Sequence, residues 1–181
     1  MTDEFEIKIR PLAVSDARSM FEELQDMRIY TFIDERPPEN LEQLQERYRV
    51  LCGGAPQGLG VRWFNWIILN DRDDEPLGTL QATIDEEAHR ASIAYVLLPK
   101  MWGKGIASRS TEWLLGCLHD DYGVTEAQVE IHEHNVRSLN LARRLGFVDA
   151  EVRREGDHNE VVLLRGLAAD RKSSRRDAHK C

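Results

Sequence analysis

Residues 61–98 carry three consecutive strand patterns with only turn-forming residues between them, and this run limits what the chain can fold into. Val61 to Asn70 is aromatic and β-branched, Asp71 to Pro76 is a turn, and Leu77 to Ile84 is a second strand. Asp85 to Glu87 is another turn, and Ala91 to Leu98 is a third strand. Links this short join antiparallel neighbours, so the run predicts a meander. Pro99 stops it. Trp102 to Ala107 is a Gly-rich turn, and residues 106–118 then read as an apolar helix with Ile106, Trp113, Leu114, Cys117 and Leu118. A strand over Val124–Ile131 follows, then an amphipathic helix over Val136–Leu145 with Gly146 at its C′ position. Two last strands cover Phe147–Arg153 and Val161–Leu164.

Upstream, Phe5 to Arg10 alternates apolar and polar residues as a half-buried strand does. Ser15 caps a predicted helix with Ala17, Met20, Phe21 and Leu24 on one face. A second helix is predicted from near Pro38, with Leu41, Leu44, Tyr48 and Leu51 at helical spacing. The order β-α-α-β-β-β-α-β-α-β-β predicts an α/β (α+β) chain. Its mixed, mostly antiparallel sheet would be flanked by helices.

At 181 residues the chain suits one domain, expected over 1–166, followed by a basic tail over 167–181 expected to be disordered. The formal charge is −8, unevenly spread. Six Lys+Arg and two Asp+Glu fall between Arg165 and the end, leaving −12 over residues 1–164. An acidic body disfavours nucleic acid and favours cationic partners. No apolar run approaches the length of a membrane span, and the acidic, alternating N-terminus does not read as a signal peptide. A cytoplasmic protein without membrane partners is expected. Cys52, Cys117 and Cys181 form no CxxC pair and read as reduced thiols.

The strongest local signal is Leu97-Leu98-Pro99-Lys100-Met101-Trp102-Gly103-Lys104-Gly105-Ile106-Ala107. A strand stops at proline and a glycine-rich turn runs straight into a helix. Glycine allows close backbone approach, the first helical N–H groups lack partners, and the helix dipole adds positive potential. Such a junction takes phosphate oxygens, and Lys104 would add charge. It is not a Walker loop, because no Gly-Lys-Ser/Thr at the required gap is present. Nor is it a dinucleotide fingerprint, because a meander rather than a βαβ unit precedes it. An ordinary Gly-rich link is the plain alternative.

A second segment follows, Val129-Glu130-Ile131-His132-Glu133-His134-Asn135-Val136-Arg137-Ser138, and its helix ends in Leu145-Gly146-Phe147. Together the two segments resemble the GCN5-related N-acetyltransferases (GNAT), and more narrowly their RimJ/RimL-like branch. The family's pyrophosphate loop runs Gln/Arg-x-x-Gly-x-Gly/Ala. Residues 102–107 match it with Trp102 at the Gln/Arg position, as is usual in that branch. Ile9-Arg10-Pro11-Leu12 with Asp16 is similar to the family's opening strand and turn, and the resemblance spans roughly residues 5–165.

The resemblance implies acetyl transfer from acetyl-CoA to a primary amine, on a small molecule or a peptide, with no metal. The cofactor would be held by Trp102, Gly103, Lys104, Gly105, Ile106, Ala107 and Ser108. Backbone groups of Leu97 and Leu98 would hold the thioester, and Asn135 and Ser138 would also touch the cofactor. Many members use a Tyr of the last helix as the proton donor to the leaving thiolate. Ala142 stands there, so Ser138 is the candidate. A Glu frequent in the branch is replaced by Ser92, leaving the base to Glu130 or His132, which with His134 alternate along a strand. Glu130-x-His132-x-His134 also has metal-ligand spacing, but no distant ligand completes it. Trp63, Phe64 and Trp66 read as core, with one alternate face left to line an acceptor pocket. The acidic residues of segment 15–51 (Glu22, Glu23, Asp26, Asp34, Glu35, Glu39, Glu42, Glu46) suit a cationic acceptor or are plain surface charge. Two other readings remain. One is a non-catalytic acyl-CoA-binding module, and the other is a nucleotide-binding module of another class. Monomer and homodimer are both compatible with the sequence.

Overall fold

The computed structural model describes residues 6–168. A single seven-stranded sheet has the order β1-β2-β3-β4-β5-β7-β6. The strands are β1 (Ile7–Pro11), β2 (Val61–Asn70), β3 (Pro76–Asp85), β4 (Arg90–Leu97), β5 (Glu126–His132), β6 (Val148–Glu155) and β7 (His158–Gly166). The expected meander is present, with β2, β3 and β4 pairing antiparallel in sequence order. The β4–β5 pair is the one parallel pair among those described.

Helix α2 (Leu41–Gly53) lies on one face of the sheet and α3 (Ile106–Tyr122) on the other. Asn65 donates to the Leu51 carbonyl at 3.0 Å, whereas Phe64 and Trp66 pack on Tyr122 and Trp113 of α3. Adjacent strand residues point to opposite faces, so the aromatic cluster divides here. The rings of Phe64 and Trp66 go to the α3 core, and the polar Asn65 goes to the α2 side. Helix α4 (Val136–Arg144) ends in a Schellman turn. Gly146, at φ +82°, donates to Arg143, and Phe147 donates to Ala142.

Two expectations need correction. The helix predicted from Ser15 to Leu24 is instead three short pieces, 3-10 turns over Val14–Asp16 and Glu23–Gln25 on either side of α1 (Ala17–Met20), and another 3-10 turn over Met27–Thr31 follows. Side chains take the carbonyls that a continuous helix needs, with Gln25 on Phe21 and Tyr30 on Leu24. Asp16 is also committed, gripped by Arg10 at 2.6 and 2.8 Å and by the Ala13 amide. The second helix starts at Leu41 rather than near Pro38, because Asn40 accepts from the Gln43 amide at 2.8 Å and caps it. Cys52 is a free thiol. Phe5, Cys181 and the tail from residue 169 onward lie outside the described residues. Leu167 still belongs to the body, since its amide donates to Thr125 at 2.8 Å.

Candidate active site

The site begins where β4 leaves its neighbour. On its β3 side, β4 pairs over all eight residues from Arg90 to Leu97. On its β5 side it pairs only from Arg90 to Ser92, with Glu126 to Gln128. Beyond Ser92 the two strands diverge and open a gap. Gly78 sets the other flank of β4. A Cβ there would lie 2.2 Å from the Val96 carbonyl oxygen and 2.7 Å from Leu97, so only glycine lets β3 approach this closely.

Leu97 and Leu98 do different things at this edge. The Leu98 amide donates to Leu77 at 3.0 Å, so it is spent on the sheet and cannot hold a thioester. The same bond makes Leu97–Gly78 a non-hydrogen-bonded pair, which turns the Leu97 N–H and C=O away from β3 and into the gap. The Leu97 carbonyl accepts the Trp102 indole N–H at 2.9 Å. Trp102 thus ties the loop to the strand end, and the Arg137 guanidinium lies over its ring at 4.5 Å.

The loop reaches α3 through Gly103 and Gly105, at φ +78° and +74°, conformations that side chains rarely adopt. A Cβ at either would meet nothing within 4 Å, so the backbone stands open to a ligand. No side chain caps α3, and its first internal bond runs from Arg109 to Gly105. The amides of Ile106, Ala107 and Ser108 therefore lack helical partners. Uncapped amides beside an open glycine cradle fit a pyrophosphate.

Two cavities flank this junction. The first, about 780 Å³, is lined by Leu97, Trp102, Gly103, Gly105, Ile106, Ala107, Ser108, Asn135 and Ser138. Arg28, Arg137 and Arg144 give it a cationic rim. Leu98 and Lys104, expected here, do not line it. Leu98 is fully buried and Lys104 is exposed. The second cavity, about 400 Å³, runs under α2 and is lined by Asp34, Glu35, Arg47, Tyr48, Asn65, Gln81, Glu130, His132 and Glu160, among others. The two share Tyr95, Val96, Asn135 and Ser138, roofed by Ile29, Phe32 and Ile33.

At the shared point the Tyr95 hydroxyl lies 2.5 Å from Ser138 Oγ. Burial pushes the Tyr95 phenol above its ordinary range, and the Ser138 bond and Arg144 oppose this more weakly. Asn135 caps α4, its Oδ1 accepting the Ser138 amide at 3.2 Å.

On the β5–β7–β6 surface, Glu130, His132, His158, Glu160 and Arg153 share one face. His134 lies past the strand end, in the turn, so the expected three-residue stripe stops at His132. Glu130 is engaged by Gln128 at 2.7 Å and Arg153 at 2.9 Å. His132 Nδ1 accepts the His134 amide at 3.1 Å, and its ring stacks on His158 with centroids 4.5 Å apart. Its Nδ1 lone pair is therefore used. Glu160, opposite His132, has His158 Nε2 at 3.8 Å, and no hydrogen bond to its carboxylate is made among the described residues.

Residues 6–148 match the family model for the acetyltransferase (GNAT) domain. The chain belongs to the GNAT acetyltransferase family. The "Uncharacterized N-acetyltransferase p20" of Bacillus licheniformis is 26% identical over 147 residues, 78% of each chain. Among solved structures, the RimL ribosomal L7/L12 alpha-N-protein acetyltransferase in complex with coenzyme A superposes with TM-score 0.78. That match covers 91% of this chain and 96% of RimL at 17% identity. The Vibrio cholerae spermidine N-acetyltransferase in complex with CoA and spermine gives TM-score 0.73 at 16% identity, covering 88% and 95%. RimL is thus among the structural neighbours that share this chain's fold.

Sequence reasoning missed Tyr95, Arg137, Arg144 and Glu160. Tyr95 sits inside a strand pattern and Glu160 directly before the one expected over Val161–Leu164, with no motif to mark either. Arg137 lies inside the quoted Asn135–Ser138 motif, and its stacking on Trp102 is a tertiary fact.

Proposed function

We propose that the protein transfers the acetyl group of acetyl-CoA to a primary amine, by direct attack while both substrates are bound. One observation carries this reading: two cavities of different chemistry meet at a single hydroxyl pair, Tyr95–Ser138. The arginine-rimmed cavity with its uncapped helix end suits the CoA phosphates. The cavity with Asp34, Glu35, Glu130 and Glu160 suits a cationic amine. The acceptor class, small-molecule amine or peptide N-terminus, has both kinds of precedent in the spermidine and RimL enzymes.

A lysine-like amine has a pKa of ~10 and must lose a proton before it attacks. We assign that task to Glu160, directly or through one water. Glu130 is held by Arg153 and Gln128, and the Nδ1 lone pair of His132 is taken by the His134 amide. The Leu97 N–H is aimed where negative charge develops on the thioester oxygen. Ser138 protonates the leaving sulfur.

Thiol release on mixing the protein with acetyl-CoA and a panel of peptides, polyamines, aminoglycosides and amino acids tests the reading. Turnover with at least one amine is expected, together with thermal stabilisation by CoA. Stabilisation by CoA with no turnover anywhere would instead establish a non-catalytic binding module.

A further inference from the structure

The hydrogen bond between Tyr95 and Ser138 joins two hydroxyls, each with a single hydrogen, and its direction decides what Ser138 can do. If Ser138 donates, its hydrogen is consumed. If Tyr95 donates, Ser138 keeps its hydrogen for the cleft. The phenol is the stronger acid of the two and so the better donor. The Ser138 amide is fixed by Asn135, which holds the residue in the first turn of α4. Tyr95 comes from β4 beyond the point where it has left β5, so its hydroxyl links β4 to the first turn of α4 across the gap.

We propose that Tyr95 is a positioning residue that makes Ser138 the proton donor to the departing thiolate. The proposal rests on the acetyl-transfer reading above. When the C–S bond of the tetrahedral intermediate breaks, its electron pair stays on sulfur, and the Ser138 Oγ–H bond supplies the proton that makes the free thiol. The Tyr95 O–H stabilises the Ser138 oxygen while it carries charge, and that oxygen regains a proton from water. The acceptor ammonium gives one proton to Glu160 before it attacks, and Glu160 returns it to water. Attack leaves a second excess proton on the nitrogen, which passes to water as the intermediate collapses to the amide. Two protons therefore leave nitrogen, one arrives at sulfur by way of Ser138 and water, and one is released to solvent.

The test uses Tyr95→Phe, Ser138→Ala and the double variant, assayed by thiol release with acetyl-CoA and an amine that the wild type accepts. The expected result is a kcat roughly 10- to 100-fold lower for each single variant, with KM for acetyl-CoA within about twofold. The double variant should be no slower than Ser138→Ala, because the two act as one unit. A CoA thiolate is a stable product above its pKa of ~8.5. The wild-type advantage over both single variants should therefore shrink as pH rises past that value. A Tyr95→Phe enzyme with wild-type kcat, multiplying losses in the double variant, or a ratio flat across pH each overturns the proposal. CoA-induced stabilisation of Tyr95→Phe shows that it is folded. Should it not fold, the Ser138→Ala pH profile decides alone, and a flat loss overturns. Absence of wild-type turnover with every amine sinks acetyl transfer and this proposal together, whereas wild-type turnover with an unaffected Tyr95→Phe sinks only the latter.

Discussion

The two cavities are built in opposite ways. The cofactor side centres on backbone: glycines at positive φ, uncapped amides and one strand-edge N–H, all within residues 97–108, with Arg28, Arg137 and Arg144 at the rim. The acceptor side is side chains, brought from the 3-10 turns, α2, β2, β3, β5 and β7. A phosphate-bearing arm can be held by a local motif that any sequence of the right turn chemistry reproduces. A particular amine has to be recognised by groups that only the finished fold assembles. The difference predicts that damage to one side should leave binding on the other intact.

The largest expected effect tests that independence from the acceptor side. Glu160→Gln keeps shape and removes the base, so kcat should fall by about 10³-fold while CoA still stabilises the protein as in the wild type. A wild-type kcat would return the base to Glu130 or His132. On the cofactor side, Gly103→Val with Gly105→Val forces two β-branched residues into left-handed conformations, at about 1–2 kcal/mol each. The loop relaxes out of its amide cradle. CoA affinity by calorimetry should drop roughly 10²-fold, with the acceptor cavity untouched. Unchanged affinity would mean that the pyrophosphate is bound elsewhere.

This asymmetry also explains what was legible in the sequence. The strand order, the loop, the α4 cap at Asn135 and the C′ glycine at 146 are all local, and period, proline and glycine mark each of them. The role of Leu98 was misjudged because amide direction depends on pairing register, which Gly78 sets from another strand. The role proposed for Glu160 was invisible because it depends on a place opposite His132 while Glu130 is paired with Arg153. The broken first helix escaped because Gln25 and Tyr30 read as ordinary helix surface until their side chains are seen on the carbonyls of Phe21 and Leu24.

One position couples the two sides. Gly78→Ala puts a methyl 2.2 Å from the Val96 carbonyl, a backbone atom with nowhere to go, so the end of β4 must shift. Overpacking of this kind costs about 1–3 kcal/mol. Because Tyr95 and Leu97 move with it, kcat/KM should fall about 10-fold for acetyl-CoA and for the amine alike, along with a lower melting temperature. Loss for only one substrate would show that β4 serves the two cavities separately.

The smallest effect probes the charge of the acceptor side alone. Arg47 and Glu35 both line this cavity and pair at 2.6 Å, both about half exposed, so the arginine cancels one of the carboxylates offered to a cationic amine. Arg47→Gln releases that carboxylate. An exposed charge in water is worth at most ~1 kcal/mol, so KM for a cationic amine should fall only about two- to fivefold. Affinity for CoA should not change, since Arg47 does not line the cofactor cavity. Salt separates this from a packing effect: at ~0.5 M the Debye length falls to roughly half its value at 0.1 M, and the gain should largely vanish. A gain that survives high salt would mean that Arg47 restricts the cavity by its bulk. A higher KM would mean that the arginine itself contacts the acceptor, whose chemistry would then include an anionic group.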